Sequence, residues 1–198
     1  MRALLLALAA TALLPQAALA WDPFRSPNGH VEEGNDRMDA GDPEGALEAY
    51  DRAARELPSE PGVHLDRGLA LMATGALDRA REAFLAAAEP SADHAIRADA
   101  YYNLGLAFYR QGDTADEEER HQEAQKLFRE AADAFKRSLR AVPGNRDAGW
   151  NLELALRRIR EQEEKQQDQD QDQDQDQDQD QDQEQDQDQD QDQDQDQD

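Results

Sequence analysis

The sequence predicts an all-α fold: a solenoid of about three helix-turn-helix repeats, followed by a C-terminal capping helix and a disordered acidic tail. The first observation is a glycine that recurs as Gly34, Gly68 and Gly105, at spacings of 34 and 37 residues. A second glycine follows each of these by seven residues. The last observation is a run of 33 residues, from 166 onward, that contains only Gln, Asp and Glu. A period near 34 residues is typical of stacked helical repeats, whereas a purely polar run cannot bury a core.

The first twenty residues have the layout of a Sec signal peptide. Arg2 precedes an apolar run from Ala3 to Leu14, and Ala18 and Ala20 supply the small residues of a cleavage site before Trp21. We expect cleavage after Ala20 and a periplasmic or secreted mature chain. Retention of the segment as an uncleaved anchor is the alternative.

The repeats are predicted to be pairs of amphipathic helices. Small and aromatic residues recur 34 residues apart, as in Ala46 and Ala80 or Tyr50 and Phe84. The first glycine of each repeat permits close helix packing, and the second, including Gly112, is expected where the chain reverses. Asp42, Pro43 and Glu44 form the N-cap, first position and acidic first turn of a helix.

The third repeat is longer than the others. Its small, aromatic and proline positions, Ala131, Phe135 and Pro143, come 14 residues later than the period predicts. Fourteen residues make about 3.9 helical turns, which nearly preserves an apolar face. We therefore predict one helix from Ala115 to Ala141, begun by a capping box at residues 114–117, whose polar first half (116–125) projects beyond the stack. A disordered loop at 113–126 is the alternative.

The pattern divides the chain into a signal peptide (1–20), a linker (21–26), a repeat domain (27–165) and the tail (166–198). The repeats occupy about 27–60, 61–97 and 98–145, and a capping helix follows at 146–165. Five apolar residues of this last segment are expected to cover the open end of the solenoid. They are Trp150, Leu152, Leu154, Leu156 and Ile159.

These repeats resemble the tetratricopeptide repeat (TPR), a 34-residue helix-turn-helix unit. The closest match is the stretch 101–105, Tyr-Tyr-Asn-Leu-Gly, followed by Phe108 and Gly112. The resemblance implies that ligand contacts come from fixed positions on the first helix of each repeat, which line a concave groove. The nine residues at those positions are Val31, Asn35, Met38, Leu65, Leu69, Met72, Tyr102, Leu106 and Tyr109.

The groove positions are mostly apolar. Families that grip a C-terminal carboxylate place Lys and Asn there, so this chain does not match a carboxylate-clamp chaperone adaptor. An apolar or helical partner segment fits better, with Tyr and Met side chains as anchors. The alternative is that several of these side chains form the core between adjacent repeats.

Charge and composition exclude several functions. The tail carries −16 of the formal net charge of −25, which leaves −9 for residues 1–165. A basic face for nucleic acid is therefore excluded, and docking on an anionic membrane is disfavoured. The chain has no cysteine, and its four histidines form no spaced metal set. With no phosphate loop or HExxH motif, we predict no enzyme, no cofactor and no metal site.

The tail alternates Asp and Gln, which suits neither a strand nor a core. Extended aspartates would lie about 6.6 Å apart, inside the Debye length of about 8 Å, so repulsion favours an expanded chain. Three roles stay open: a solubilising extension with no partner, an electrostatic tether for a cationic partner, and weak binding of divalent cations.

A further resemblance concerns the whole arrangement. The sequence 147–155, Asp-Ala-Gly-Trp-Asn-Leu-Glu-Leu-Ala, precedes a Gln- and acid-rich tract, and Val31 to Asn35 follows a signal-like N-terminus. This resembles the TPR protein of bacterial aerotolerance (Bat) operons. The resemblance implies an envelope scaffold whose partners include von Willebrand A-domain proteins and which is encoded beside a MoxR-type ATPase.

Together these features predict a non-enzymatic scaffold or adaptor of the bacterial envelope that binds a partner segment in its groove. The alternative is a structural or ion-buffering polyanion, in which the repeats present the Asp/Gln tail to cationic partners or divalent cations.

Overall fold

The computed structural model describes residues 28–167, and all of the helices named below lie within this range. The predicted signal peptide (1–20), the linker (21–26) and the tail from residue 168 lie outside the described residues. Residues 28–167 form seven helices and no strand, which confirms the all-α prediction. These are α1 (Gly29–Asp39), α2 (Pro43–Glu56), α3 (Pro61–Ala73), α4 (Leu77–Ala87), α5 (His94–Glu117), α6 (His121–Ala141) and α7 (146–167). No helix within 28–167 has the length and apolar character needed to cross a membrane.

The helices stack in chain order as three hairpins, α1–α2, α3–α4 and α5–α6, and α5–α6 makes the most extensive contact. Each hairpin is closed by a glycine–aromatic pair. A Cβ atom on Gly34, Gly68 or Gly105 would lie 2.4, 2.4 or 2.5 Å from the ring of Tyr50, Phe84 or Phe135. Only glycine lets the second helix approach this closely, and the rings it admits are fully buried or nearly so.

Two of the predicted turn glycines are confirmed. Gly41 and Gly75 have φ values of +76° and +78°. The amide of Gly41 donates to the Met38 carbonyl, and the amide of Asp42 donates to the Arg37 carbonyl. The same pair of bonds closes the turn at Gly75. This is the Schellman ending of a helix, in which a left-handed residue satisfies carbonyls that the helix leaves free.

The third hairpin differs from the prediction. Gly112 lies inside α5, and the chain reverses at residues 118–120, so the prediction that Gly112 marks a turn is wrong. The predicted single helix from Ala115 to Ala141 is also wrong, as is the loop alternative. Glu119 takes the left-handed conformation instead, with φ +58°. Its amide donates to Asp116, and the next amide donates to Ala115, as in the glycine turns.

The 14 extra residues are divided equally between the two helices. Gly112 follows Gly105 by seven residues, and Phe128 precedes Phe135 by seven. Seven residues are about two turns, so each helix repeats its packing face and a second glycine–aromatic contact forms. The predicted capping box is absent, because Thr114 is helical and its hydroxyl donates to the Arg110 carbonyl.

The lengthened hairpin does not project freely into solvent, contrary to the prediction. Ala115, Ala124 and Phe128 are fully buried and pack against Ile159 of α7. Gln125 is also buried. The capping helix therefore packs along the hairpin from Tyr102, which Asn151 contacts, to Asp116, which Lys165 contacts. Its apolar face is only partly buried, because Trp150 is 64% exposed.

Candidate interaction groove

The predicted groove residues fall on α1, α3 and α5, the first helices of the hairpins. Two of them belong to the core. Val31 is 5% exposed and packs with Ala53 and Val63, and Met72 is 8% exposed within the cluster around Leu71 and Phe84. Two others, Met38 and Leu65, are half-buried against neighbouring clusters. Val31 and Met72 therefore fit the alternative interpretation, in which these side chains form the core between adjacent repeats.

The three positions on α5 contact the helices that follow. Tyr102, Leu106 and Tyr109 are half-buried in a cluster with residues of α6 and α7. The Tyr102 ring centroid lies 5.9 Å from that of Phe135, and its hydroxyl accepts a hydrogen bond of 3.3 Å from Asn151 Nδ2. The capping helix therefore helps to fix the orientation of Tyr102.

Asn35 and Leu69 are exposed. The Asn35 side-chain oxygen accepts a 2.7 Å hydrogen bond from the Tyr50 hydroxyl, and the residue as a whole is exposed. Leu69 on α3 is 37% exposed, although the next three residues along the helix, 70–72, are buried. The structure thus divides the nine predicted residues: some are core, some are held by α7, and Asn35 and Leu69 are open to a partner.

Sequence reasoning missed an acidic component of this surface. Asp66 and Leu69 lie three residues apart on α3 and so share a face. Burial raises the pKa of Asp66 to about 6. Burial likewise raises the pKa of Asp99 on α5. No cation lies within 4 Å of Asp66 in the described part of the chain. In sequence, these two carboxylates look like any other acid on a solvated helix face, so spacing gave no signal for them.

Asp66 also affects its aromatic neighbour. Tyr50 is 2% exposed, and burial, followed by the charges of Asp66 and Asp39, raises the pKa of its hydroxyl. The surface therefore combines an exposed leucine with a half-buried carboxylate that has no cation within 4 Å among residues 28–167, whereas Tyr50 belongs to the buried core. Such a set can bind an apolar segment that carries a cation, but it offers no nucleophile with an adjacent base.

A second polar cluster holds the capping helix in place. Asp116 at the end of α5 accepts hydrogen bonds from Gln162, Arg158 and Lys165 of α7 at 2.8, 3.0 and 2.6 Å. The Nδ1 atom of His121 lies 3.3 Å from the same carboxylate. Burial works to raise the pKa of Asp116, but the three α7 hydrogen bonds outweigh it and lower the pKa to about 2.

No group of three His, Asp or Glu side chains within residues 28–167 is arranged to hold a metal ion. His121 is the most enclosed of the histidines, and its neighbours are Asp116 and Gln162. This arrangement is an interhelical polar contact between α6, α5 and α7.

The glycine–aromatic hairpins, the Schellman turns and the stacking in chain order define a helical-repeat solenoid. Residues 31–95 match the tetratricopeptide repeat family. The fold is similar to the first TPR domain of human RPAP3, with a TM-score of 0.53 and 18% identity. That match covers 68% of this chain and 93% of the other.

Two further structures align less closely. The Sgt2 TPR domain from Aspergillus fumigatus is 24% identical, with a TM-score of 0.49, over 67% of this chain and 78% of that one. MamA is 20% identical, with a TM-score of 0.34, over 66% of this chain and 96% of that one. Comparison with curated protein sequences finds no significant match. The fold class predicted from the sequence is confirmed by the family match and by the RPAP3 domain.

Proposed function

We propose that the chain is a non-enzymatic scaffold that holds a segment of a partner protein against the surface formed by α1, α3 and α5. Tetratricopeptide domains generally mediate protein–protein interactions, and residues 31–95 match that family. The observation that carries the proposal is the pairing, on one face of α3, of exposed Leu69 with the unpaired carboxylate of Asp66.

The chemistry of this face defines the partner segment. An apolar side chain placed on Leu69 would remove apolar surface from water, worth roughly 25 cal/mol for each Å² buried. A Lys or Arg placed beside Asp66 would compensate a carboxylate that has no cation within 4 Å among residues 28–167. The expected ligand is therefore an amphipathic segment with an apolar residue and a basic residue on the same side.

The proposed location is the bacterial envelope. Arg2, the apolar run that follows and the small residues before Trp21 support export. The resemblance of residues 147–155 to the Bat-operon proteins supports von Willebrand A-domain envelope proteins as the partners. N-terminal sequencing of the mature chain tests the location: a first residue of Trp21 is expected, and a chain that keeps Met1 in the cytoplasmic fraction would contradict it.

A matched pair of variants tests the groove. Leu69→Glu places a charge on the proposed surface, whereas Leu85→Glu places the same charge on α4, where Leu85 is 52% exposed. Partners recovered from envelope extracts with the wild-type chain should be lost with Leu69→Glu and kept with Leu85→Glu. Equal recovery with both variants would remove the basis for assigning binding to the face of α3.

A further inference from the structure

An open cavity of about 530 Å³ lies where the end of α4, the start of α5 and the end of α6 meet. Its functional lining consists of His94, Arg97, Tyr101, Arg137 and Arg140, together with three small residues. No lining residue is acidic. In a chain with 46 acidic and 21 basic residues, three arginines around a cavity without a carboxylate form a distinct positive site.

Arg97 and Arg137 are positioned by neutral groups. Arg97 donates to the Pro90 carbonyl at 3.2 Å and to His94 Nδ1 at 2.9 Å. The Arg137 guanidinium lies 5.7 Å from the centre of the Tyr101 ring, a cation–π contact. Within residues 28–167, no carboxylate lies within 4 Å of Arg97, Arg137 or Arg140. The three guanidinium groups thus keep hydrogen-bond donors for a ligand.

Guanidinium groups bind carboxylates in a planar, two-point geometry. A volume of 530 Å³ falls within the range of sites for sizeable ligands, and it exceeds what one small anion fills. Arg97, Arg137 and Arg140 lie on two different helices, so the matching ligand presents several carboxylates in succession. An acidic peptide has this chemistry.

We propose that the occupant is the chain's own Asp/Gln segment, residues 168–198. This segment contains 15 Asp and one Glu and no basic residue. It follows α7, whose Lys165 contacts Asp116 near the end of α5, whereas the cavity is at the start of α5. The distance to be bridged is close to the length of α5, 24 residues or about 36 Å.

The chain is long enough to bridge this distance. Thirty-one residues reach at most about 100–110 Å, so roughly a third of the segment spans the helix and the remainder can lie over the arginines. Because the segment is covalently attached, its effective concentration at the cavity is of millimolar order. Anions in solution therefore compete with a ligand that is already attached to the chain, and the occupancy of the cavity by the segment should fall as the salt concentration rises. We therefore expect the attached segment to be the main occupant of the cavity at low salt, independently of any partner on α3.

The test uses the full chain, which has no native cysteine, so that Gln183→Cys gives one attachment point for a spin label. In nitrogen-15 spectra at low salt, we expect at least a twofold loss of amide intensity for His94, Arg97 and Tyr101. The loss should disappear in Arg97→Gln/Arg137→Gln/Arg140→Gln and in 1 M salt. It should persist in the matched control Arg55→Gln/Arg110→Gln/Arg160→Gln, which removes three exposed arginines elsewhere.

Two results would overturn the proposal. One is intensity loss that is spread evenly over the helices or is unchanged in the cavity variant, provided that circular dichroism shows both triple variants folded. The other is loss seen only when spin-labelled chain is mixed with separately isotope-labelled chain, since that places the segment of a second copy in the cavity.

Discussion

A Cβ atom placed on Gly112 would lie 2.7 Å from Cε1 of Phe128, so the Phe128 ring fills the space beside α5 that any larger residue would need. This contact copies the one between Gly105 and Phe135, seven residues away on each helix. It explains how the third hairpin gains 14 residues without losing its packing. The added length supplies the surface on which the second half of α7 lies.

Gly112→Ala should therefore destabilise the protein by about 1–3 kcal/mol, the usual range for overpacking a close helix contact. The matched control is Gly149→Ala in α7, where a Cβ would meet no atom within 4 Å. That change should stabilise by about 0.5–1 kcal/mol through helix propensity. Urea unfolding of the two variants measures both effects. Equal stabilisation by both would show that Phe128 is not seated on Gly112.

Glu119→Gly should stabilise the fold by about 1 kcal/mol. Glu119 holds a φ of +58° in a turn whose counterparts elsewhere in the chain are glycines. A residue with a Cβ is strained in this region, and glycine is not.

Gly75→Ala is the reciprocal change at the equivalent turn, where φ is +78°, and it should destabilise by about 1 kcal/mol. Thermal unfolding of the two variants checks the pair. A Glu119→Gly chain that melts below the wild type would mean that the Glu119 turn differs from the Gly41 and Gly75 turns.

Asp116 should make the fold sensitive to acid. Its pKa in the folded chain is about 2, below the ordinary value of 3.8, so its contribution to stability is complete above about pH 4 and is lost as the pH falls toward 2. The loss amounts to up to about 2 kcal/mol for a group whose side chain is 12% exposed.

Replacement by asparagine isolates this contribution, because Asp116→Asn cannot ionise. The difference in unfolding free energy between wild type and variant should shrink between pH 4 and pH 2. A difference that stays constant over this interval would contradict the role given to the hydrogen bonds from Gln162, Arg158 and Lys165.

Asp66 should have the opposite effect on stability. Its pKa is raised to about 6 from 3.8, so the folded chain favours the protonated acid, and stability falls as the pH rises from about 4 to 6. Asp66→Asn should stabilise the fold at pH 7 by about 1–2 kcal/mol, since it removes a half-buried charge that no cation of the described helices pairs with.

The same variant should weaken partner binding, because it removes the group proposed to receive a basic side chain. Stability at pH 7 and affinity for the captured partner are therefore expected to move in opposite directions. Asp36→Asn, a change at an exposed acid on α1, serves as the control and should affect neither. An Asp66→Asn chain that binds as tightly as the wild type would exclude a basic anchor at this position.

The sequence was sufficient to predict the hairpins and their turns at Gly41 and Gly75, because small and aromatic residues recur at fixed spacing. It was not sufficient to place the 14 extra residues. One long helix and two moderately lengthened helices would both keep the apolar side chains on one helix face. The residue that distinguishes the two arrangements is Phe128, seven residues before Phe135. Gly112 was ambiguous, because a glycine allows either a turn or a close helix contact.

The candidate sites depended on three-dimensional neighbours. Val31 and Leu65 occupy equivalent repeat positions, three residues before Gly34 and Gly68, yet Val31 is buried at 5% exposure and Leu65 is only half-buried. The arginine cavity joins Arg97 to Arg137 across 40 residues of sequence, and periodicity does not show which helix ends converge. Asp66 differs from other acids only in the protein atoms that surround it.

The central claim is that the surface around Leu69 on α3 contacts a partner segment. A photo-crosslinking amino acid introduced at position 69, with position 85 as the matched control, tests this claim in intact cells. We predict one discrete adduct at position 69, absent at position 85 and reduced several-fold by Asp66→Asn in the same chain. Adducts of equal yield at both positions, or none at position 69, would contradict it.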